Sequence, residues 1–214
     1  MNQRVGVLGS GQVAQVLAAG FKKHGYDVQI GSREPQKLEA FSAKTGIAAG
    51  DFAATAAYGE IVVLAVKGTA ALEVLGLAGA ANLDGKVVID ANNPIADEPP
   101  QNGVIRFFTG PNDSLMERLQ AALPGARFVK SWSCVGNPFM VNPSFPGGPP
   151  TMFICGNDAA AKGTVNGILE QFGWASADMG LVESARAIEP LCQLWCAPGL
   201  LRNQWTHAFK LLQL

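Results

Sequence analysis

The sequence predicts an α/β fold built on a parallel sheet, and three observations lead there. An apolar run, Arg4-Val5-Gly6-Val7-Leu8, stops at the turn Gly9-Ser10-Gly11 and gives way to an amphipathic segment from about Gln12 to His24. A second strand, Tyr26-Asp27-Val28-Gln29-Ile30, follows at the spacing of a strand–helix–strand unit. Strand-like and helix-like segments then keep alternating, which favours parallel strands joined by right-handed crossovers.

The remaining elements follow in order. Pro35 opens a helix running to about Lys44. Gly46–Gly50 reads as a short third strand, and Asp51 caps a small helix through Tyr58. Glu60–Val66 is a continuous apolar strand. It ends at Lys67-Gly68-Thr69, before an Ala/Leu helix to about Ala78. Lys86–Asp90 is the fifth strand, ending in Ala91-Asn92-Asn93-Pro94. Beyond a loop at Pro99–Gly103, a helix is expected over Asn112–Leu123, capped by Asn112 or Asp113. Arg127–Ser133 makes a sixth strand, whose end reaches Cys134-Val135-Gly136-Asn137. A Pro/Gly/Asn/Ser-rich loop, Asn142–Pro150, separates this part from a seventh strand and turn at Thr151–Asn157. Asp158 caps a helix to about Phe172, and Gly173–Asp178 is a last short strand. Two helices, Leu181–Cys196 and Pro198–Leu212, are expected to close the chain. Their large apolar side chains read as core or as a subunit interface. The division expected is a dinucleotide-binding domain over 1–150 and a C-terminal extension over 151–214, packed on it and not independent.

The first turn carries the chemistry. Gly9 permits the tight bend, Gly11 lets backbone approach a pyrophosphate at the helix N-terminus, and Ala14 stands where a small residue keeps helix against strand. This is a Rossmann-type fingerprint, with Gly9, Ser10, Gly11, Gln12 and Val13 as the pyrophosphate cradle. An NAD site normally places Asp or Glu after the second strand to bind the ribose hydroxyls. This chain has Gly31-Ser32-Arg33, with Lys37 one turn on. Ser32, Arg33 and Lys37 therefore point to a 2′-phosphate, and NADP(H) is the expected cofactor. The alternative for Arg33 and Lys37 is pairing with Glu34 or Glu39. Ligands of such sheets lie outside the carboxyl ends of the strands. That places Ala65, Val66, Lys67, Asn92 and Asn93 on the ribose and nicotinamide side, although Asn92-Asn93-Pro94 is also turn chemistry. Ser133, Cys134, Asn137 and Lys67 are the candidates on the acceptor side.

Composition narrows the classes further. The 214 residues carry a net charge of −1 with acids and bases dispersed, so neither a nucleic-acid nor a polybasic membrane surface is indicated. No apolar stretch reaches the ~20 residues that span a bilayer. The four cysteines, Cys134, Cys155, Cys192 and Cys196, form no metal or disulfide pattern. A cytoplasmic setting is expected, with no metal.

The series Gly9-Ser10-Gly11, Ile30-Gly31-Ser32-Arg33, Asp90-Ala91-Asn92-Asn93-Pro94, Phe128-Val129-Lys130, Cys155-Gly156-Asn157 and Asp178-Met179-Gly180 resembles the NADPH:coenzyme F420 oxidoreductase family. It is similar too to the cytosolic reductase domain of the six-transmembrane metalloreductases. The resemblance implies NADP(H) held through Ser32 and Arg33, a homodimer, and coenzyme F420 as acceptor. Ser133, followed by Cys134, stands where deazaflavin-reducing members carry His, so FMN or FAD is an equal expectation for the co-substrate.

Hydride transfer to a flavin or deazaflavin ring suits a rim without an evident acid–base pair, since solvent can protonate the acceptor. His24 and His207 are expected to lie away from the chemistry. Two other readings stay open: reduction of a small imine or ketone, with Lys67 or water as proton donor, and a non-catalytic NADP(H) sensor.

Overall fold

The structure is a computed structural model, and it describes residues 2–212. Six parallel strands form the central sheet: β1 (Arg4–Leu8), β2 (Asp27–Gly31), β3 (Ala48–Gly50), β4 (Ile61–Leu64), β5 (Val87–Asp90) and β6 (Arg127–Lys130). Their order is β3-β2-β1-β4-β5-β6, which reverses direction between β1 and β4. The topological switch point, where such sheets bind ligands, is therefore at the carboxyl ends of β1 and β4.

The strands carry apolar residues on both faces because helices cover both. Val5, Val7, Ile61, Val63, Ile89 and Val129 join one core, while Leu8, Val62, Leu64, Val88 and Phe128 join the other. The first core is closed by α1 (Gln12–Lys23), through Ala14, Leu17, Ala18 and Phe21, and by α7 (Ala159–Gln171). The second is closed by α3 (Phe52–Tyr58), α4 (Ala71–Ala78), α6 (Leu115–Ala122) and α8 (Ala185–Ile188). The short helices α2 (Glu39–Thr45) and α5 (Ala80–Leu83) and the longer α9 (Pro190–Arg202) complete the set. Each large side chain such as Leu17 or Phe21, fully buried, contributes about 1.5–3 kcal/mol.

Strands β7 (Thr151–Ile154) and β8 (Ala175–Asp178) pair in parallel as a separate small sheet. Met152, Ile154, Val165, Leu169, Phe172 and Trp174 belong to the same core as α1 and β6, so one apolar interior runs from the main sheet into residues after 150. A single bridge, Lys130 to Cys155, links the two sheets.

Local capping explains most boundaries. Asp51 accepts from the Ala54 N–H at 2.7 Å and Asp158 from that of Ala161 at 2.7 Å, as their positions predict. At α6 the cap is Ser114, not Asn112 or Asp113, so the helix starts later than expected. The segment opened by Pro35 begins as a 3-10 turn over Pro35–Leu38 before α2. The sixth strand ends at Lys130, short of Ser133, because Trp132 turns into the left-handed region with φ 53°.

The close of the chain departs most from expectation. In place of helices over Leu181–Cys196 and Pro198–Leu212 there is a 3-10 turn at Val182–Ser184, then α8, then α9 running through Pro198. The bond that Pro198 removes is to the carbonyl of Leu194, on an exposed side of the helix, where water can replace it. Asn203, with φ 54°, ends α9 in a left-handed cap. The tail over residues 203–212 is not helical. Its Phe209 carbonyl accepts from the Thr151 N–H at 2.9 Å, and its His207 carbonyl accepts from Trp195 Nε1 at 2.9 Å. Those tertiary bonds take the place of helical ones.

Candidate functional site

A cleft of about 630 Å³ opens at the carboxyl ends of β1, β2, β4 and β5. Its lining brings together Gly9, Ser10, Gly11, Gln12, Val13, Ser32, Arg33, Ala65, Val66, Lys67, Asn92 and Asn93, twelve positions singled out from the sequence. Phe52, Gly68, Ala70, Val74, Ala91, Ile95 and Asp97 complete the wall.

The floor is made by close backbone approach. Gly9 adopts φ 140°, and a Cβ there would lie 2.1 Å from the Ala65 carbonyl oxygen. A Cβ on Gly68 would lie 2.1 Å from the carbonyl oxygen of Asn93. These two glycines let the loops after β1, β4 and β5 touch. Gly11 differs, since a Cβ there would project into open space. The first turn of α1 also carries no side-chain cap, unlike α3, α6 and α7. Its N–H groups face the cleft end where Gly11 leaves room, which fits an anionic pyrophosphate.

The two asparagines of the β5 loop brace the site. Asn92, almost fully buried, accepts through Oδ1 from the Val66 N–H at 2.8 Å, while its own N–H donates to Asp90 Oδ1 at 3.0 Å. Its Nδ2 is buried without a partner. Asn93 donates through Nδ2 to the Ser133 carbonyl at 2.9 Å and accepts through Oδ1 from the Ser133 hydroxyl at 2.6 Å.

Behind this loop lies a buried charge cluster. Lys130 Nζ sits 2.6 Å from Asp90 Oδ2 and 2.9 Å from Glu189 Oε1, and donates to the Asn92 carbonyl at 2.9 Å. Burial alone would lower the lysine's pKa, but the carboxylates of Asp90 and Glu189 outweigh it and raise the group above its ordinary 10.5. Glu189 in turn accepts from the N–H groups of Leu115 and Met116, both at 3.0 Å, at the start of α6. The C-terminal part of the chain thus supplies a carboxylate that helps fix the Asn92 loop. Sequence reasoning passed over these three residues. Asp90 and Lys130 each end an apolar strand, a position where a charge signals a buried partner, but Glu189 gives no such signal.

The charged side chains at and beside the cleft are paired. Arg33 Nη1 lies 3.1 Å from Glu73 Oε1, joining the loop after β2 to the first turn of α4. Lys37 lies 2.5 Å from Glu34, the pairing that the sequence offered as its alternative, and does not line the cleft. At the other end Lys67 Nζ lies 2.9 Å from Asp97 Oδ1, and the Thr69 hydroxyl donates to Asp97 Oδ2 at 3.3 Å. The hydrogen bond and charge of Lys67 hold the Asp97 carboxyl below its ordinary value.

Three acceptor-side candidates stand elsewhere. Ser133 and Cys134 are buried behind the cleft, and Asn137 begins a 3-10 turn away from it. Burial pushes the Cys134 thiol up to about 12, so it is neutral and unreactive at pH 7. The left-handed turn at Trp132 causes this: it folds the chain back, so that Ser133 faces Asn93 rather than the opening. His24 stacks on Phe172 and bonds to Asn142, while His207 stacks on Trp195 and bonds to its carbonyl. Neither histidine lines the cleft. Among the described residues no cluster of His, Cys, Asp and Glu could hold a metal, and no helix is long and apolar enough to cross a membrane.

Residues 4–94 match the family profile described as NADP oxidoreductase, coenzyme F420-dependent. A crystal structure from Arthrobacter sp. FB24, provisionally designated an F420-dependent NADP reductase, is 30% identical with a TM-score of 0.92, covering 100% of both chains. The metalloreductase STEAP3 of Rattus norvegicus is 29% identical over 203 residues, which cover 92% of this chain. The chain spans 39% of that protein's length. An imine reductase variant from Myxococcus stipitatus, solved with NAD+, is 18% identical with a TM-score of 0.67, covering 91% of this chain and 61% of that one. At that identity the likeness is one of fold.

Proposed function

The chain belongs to the coenzyme F420-dependent NADP oxidoreductase family, and from that premise we propose that it transfers hydride between NADPH and a flavin-like or deazaflavin acceptor. One observation carries the cofactor half. A single cleft joins the uncapped N-terminus of α1, with room at Gly11, to Ser32 and Arg33, where a carboxylate would stand for NAD. When bound, NADPH supplies a hydride from its nicotinamide ring.

The chain's own residues have four tasks in this reading. Gly9, Ser10, Gly11, Gln12 and Val13 hold the pyrophosphate through backbone N–H groups. Ser32 and Arg33 hold the 2′-phosphate. The Ala65–Lys67 loop and the Asn92–Asn93 loop, locked together by the Val66 to Asn92 bond, shape the floor under the nicotinamide. Lys67, Ile95 and Asp97 flank the place for the acceptor, with Ile95 offering an exposed apolar surface to a flat ring.

The ionisable side chains lining the cleft are Arg33, Lys67 and Asp97, with no His, Tyr or Cys among them. A tricyclic acceptor asks little of such a lining. Such a ring would take its proton from solvent, so the lining would need to position it and would not need to supply an acid. Holding the two rings in contact then supplies much of the rate enhancement.

The test follows NADPH oxidation at the nicotinamide absorbance, with NADH as control, against coenzyme F420, FMN, FAD, riboflavin and a panel of imines and ketones. Turnover with a tricyclic acceptor is the expected result. Turnover confined to imines or ketones would replace the acceptor class. NADPH binding without turnover on any acceptor would replace catalysis with sensing.

A further inference from the structure

We propose that Glu73 is a specificity-determining residue, one that competes with the cofactor's 2′-phosphate for Arg33 and so limits the preference for NADPH over NADH. This inference rests on the NADP(H) site proposed above. Both cations that the sequence offers to a phosphate are already engaged by carboxylates: Arg33 with Glu73 at 3.1 Å, and Lys37 with Glu34 at 2.5 Å. The four charges sum to zero. An incoming phosphate therefore meets an ion pair and not a free cation.

Geometry gives Glu73 the larger part of this effect. Lys37 and Glu34 pair within one turn and lie off the cleft, whereas Arg33 lines it. Glu73 belongs to the first turn of α4, flanked by the cleft residues Ala70 and Val74. Its carboxylate is held near that rim by position, and the helix N-terminus favours its charge. Arg33 must release Glu73, or share its fork with it, before its planar donors can engage phosphate oxygens in bidentate fashion. The carboxylate left behind then faces a dianionic phosphate across a partly exposed gap. NADH, with hydroxyls there, meets no such repulsion. Glu73 is thus a device that narrows the difference between the two cofactors, a case of specificity set by a repulsive element.

The experiment measures dissociation constants of NADPH and NADH by nicotinamide fluorescence for the intact chain and for Glu73→Gln, Arg33→Ala and the double variant. Both side chains are more than half exposed, so Glu73→Gln is expected to tighten NADPH by about two- to fivefold, with NADH changing by less than that and the gain shrinking as salt rises. In the Arg33→Ala background the same substitution is expected to give a smaller gain, because the competition for the guanidinium is gone and only the direct repulsion between carboxylate and phosphate is left. An unchanged NADPH constant, an equal change for both cofactors, or a full gain that persists without Arg33 overturns the proposal. Failure of the underlying site reads differently: Arg33→Ala alone would then weaken both cofactors equally or neither.

Discussion

Ser133 holds both ends of the Asn93 side-chain amide, donating its hydroxyl to Oδ1 at 2.6 Å and accepting from Nδ2 at its carbonyl at 2.9 Å. Two residues 40 positions apart thereby lock the loop after β6 to the loop after β5. The carbonyl of the same Asn93 rests against Gly68, so the lock extends to the loop after β4.

Ser133→Ala removes one of those bonds and leaves the half-buried Asn93 Oδ1 without its donor. A loss of about 0.5–1.5 kcal/mol is expected, read as a lower urea midpoint at unchanged slope. The NADPH KM should rise more than kcat falls, because the bond shapes the cleft floor and does not enter the chemistry. A kcat effect larger than the KM effect would place Ser133 at the reacting atoms instead.

The three cleft glycines should behave differently under the same substitution. Gly68→Ala drives a Cβ into the Asn93 carbonyl and Gly9→Ala drives one into that of Ala65, so both should destabilise the fold by several kcal/mol. Gly11→Ala meets nothing in the protein. Its melting temperature should stay within a few degrees while NADPH binding weakens by at least about tenfold, because the methyl occupies space that the pyrophosphate needs. Unchanged binding in Gly11→Ala would remove the pyrophosphate from that turn.

Arg33→Ala should weaken NADPH by about 1.5–3 kcal/mol, the range for a hydrogen bond to a charged group, and leave NADH nearly unchanged. Equilibrium titration with both nucleotides checks it.

Lys130→Met leaves Asp90 and Glu189 facing each other without a cation in a dry interior, and a loss of about 3–5 kcal/mol is expected. For the intact chain the sign is set by a lysine whose folded pKa lies above its ordinary 10.5. The stability it contributes is complete below about that pH and is lost only as pH rises through the higher folded value. Chemical denaturation of both chains at pH 7, and of the intact chain as pH rises past 10, tests both statements. A Lys130→Met chain as stable as the intact one would mean that the cluster adds no net stability.

Legibility in the sequence followed the range of the interactions. The turn at Gly9–Gly11, the caps at Asp51 and Asp158 and the strand ends at Ser32 and Asn92 are signals written within a few residues, and the structure places them where the pattern put them. Cys134 and Asn137 were read as rim residues because the sixth strand points to the rim. A left-handed Trp132 redirects the chain one residue past the strand, and no composition rule announces that for a tryptophan. The tail after Asn203 has helical periodicity, yet it trades helical bonds for bonds to Thr151 and Trp195.

By itself the sequence determined the α/β class, the order of the strands, the glycine turn and the absence of an acid after the second strand. These depend on periodicity, backbone freedom and charge at single positions. Tertiary structure decided which carboxylate each cleft cation meets, which asparagine groups are already taken, and that Glu189 completes a buried cluster with Asp90 and Lys130. A salt bridge or a buried hydrogen bond needs two groups within about 3 Å, and for residues tens of positions apart that distance exists only once the chain has folded.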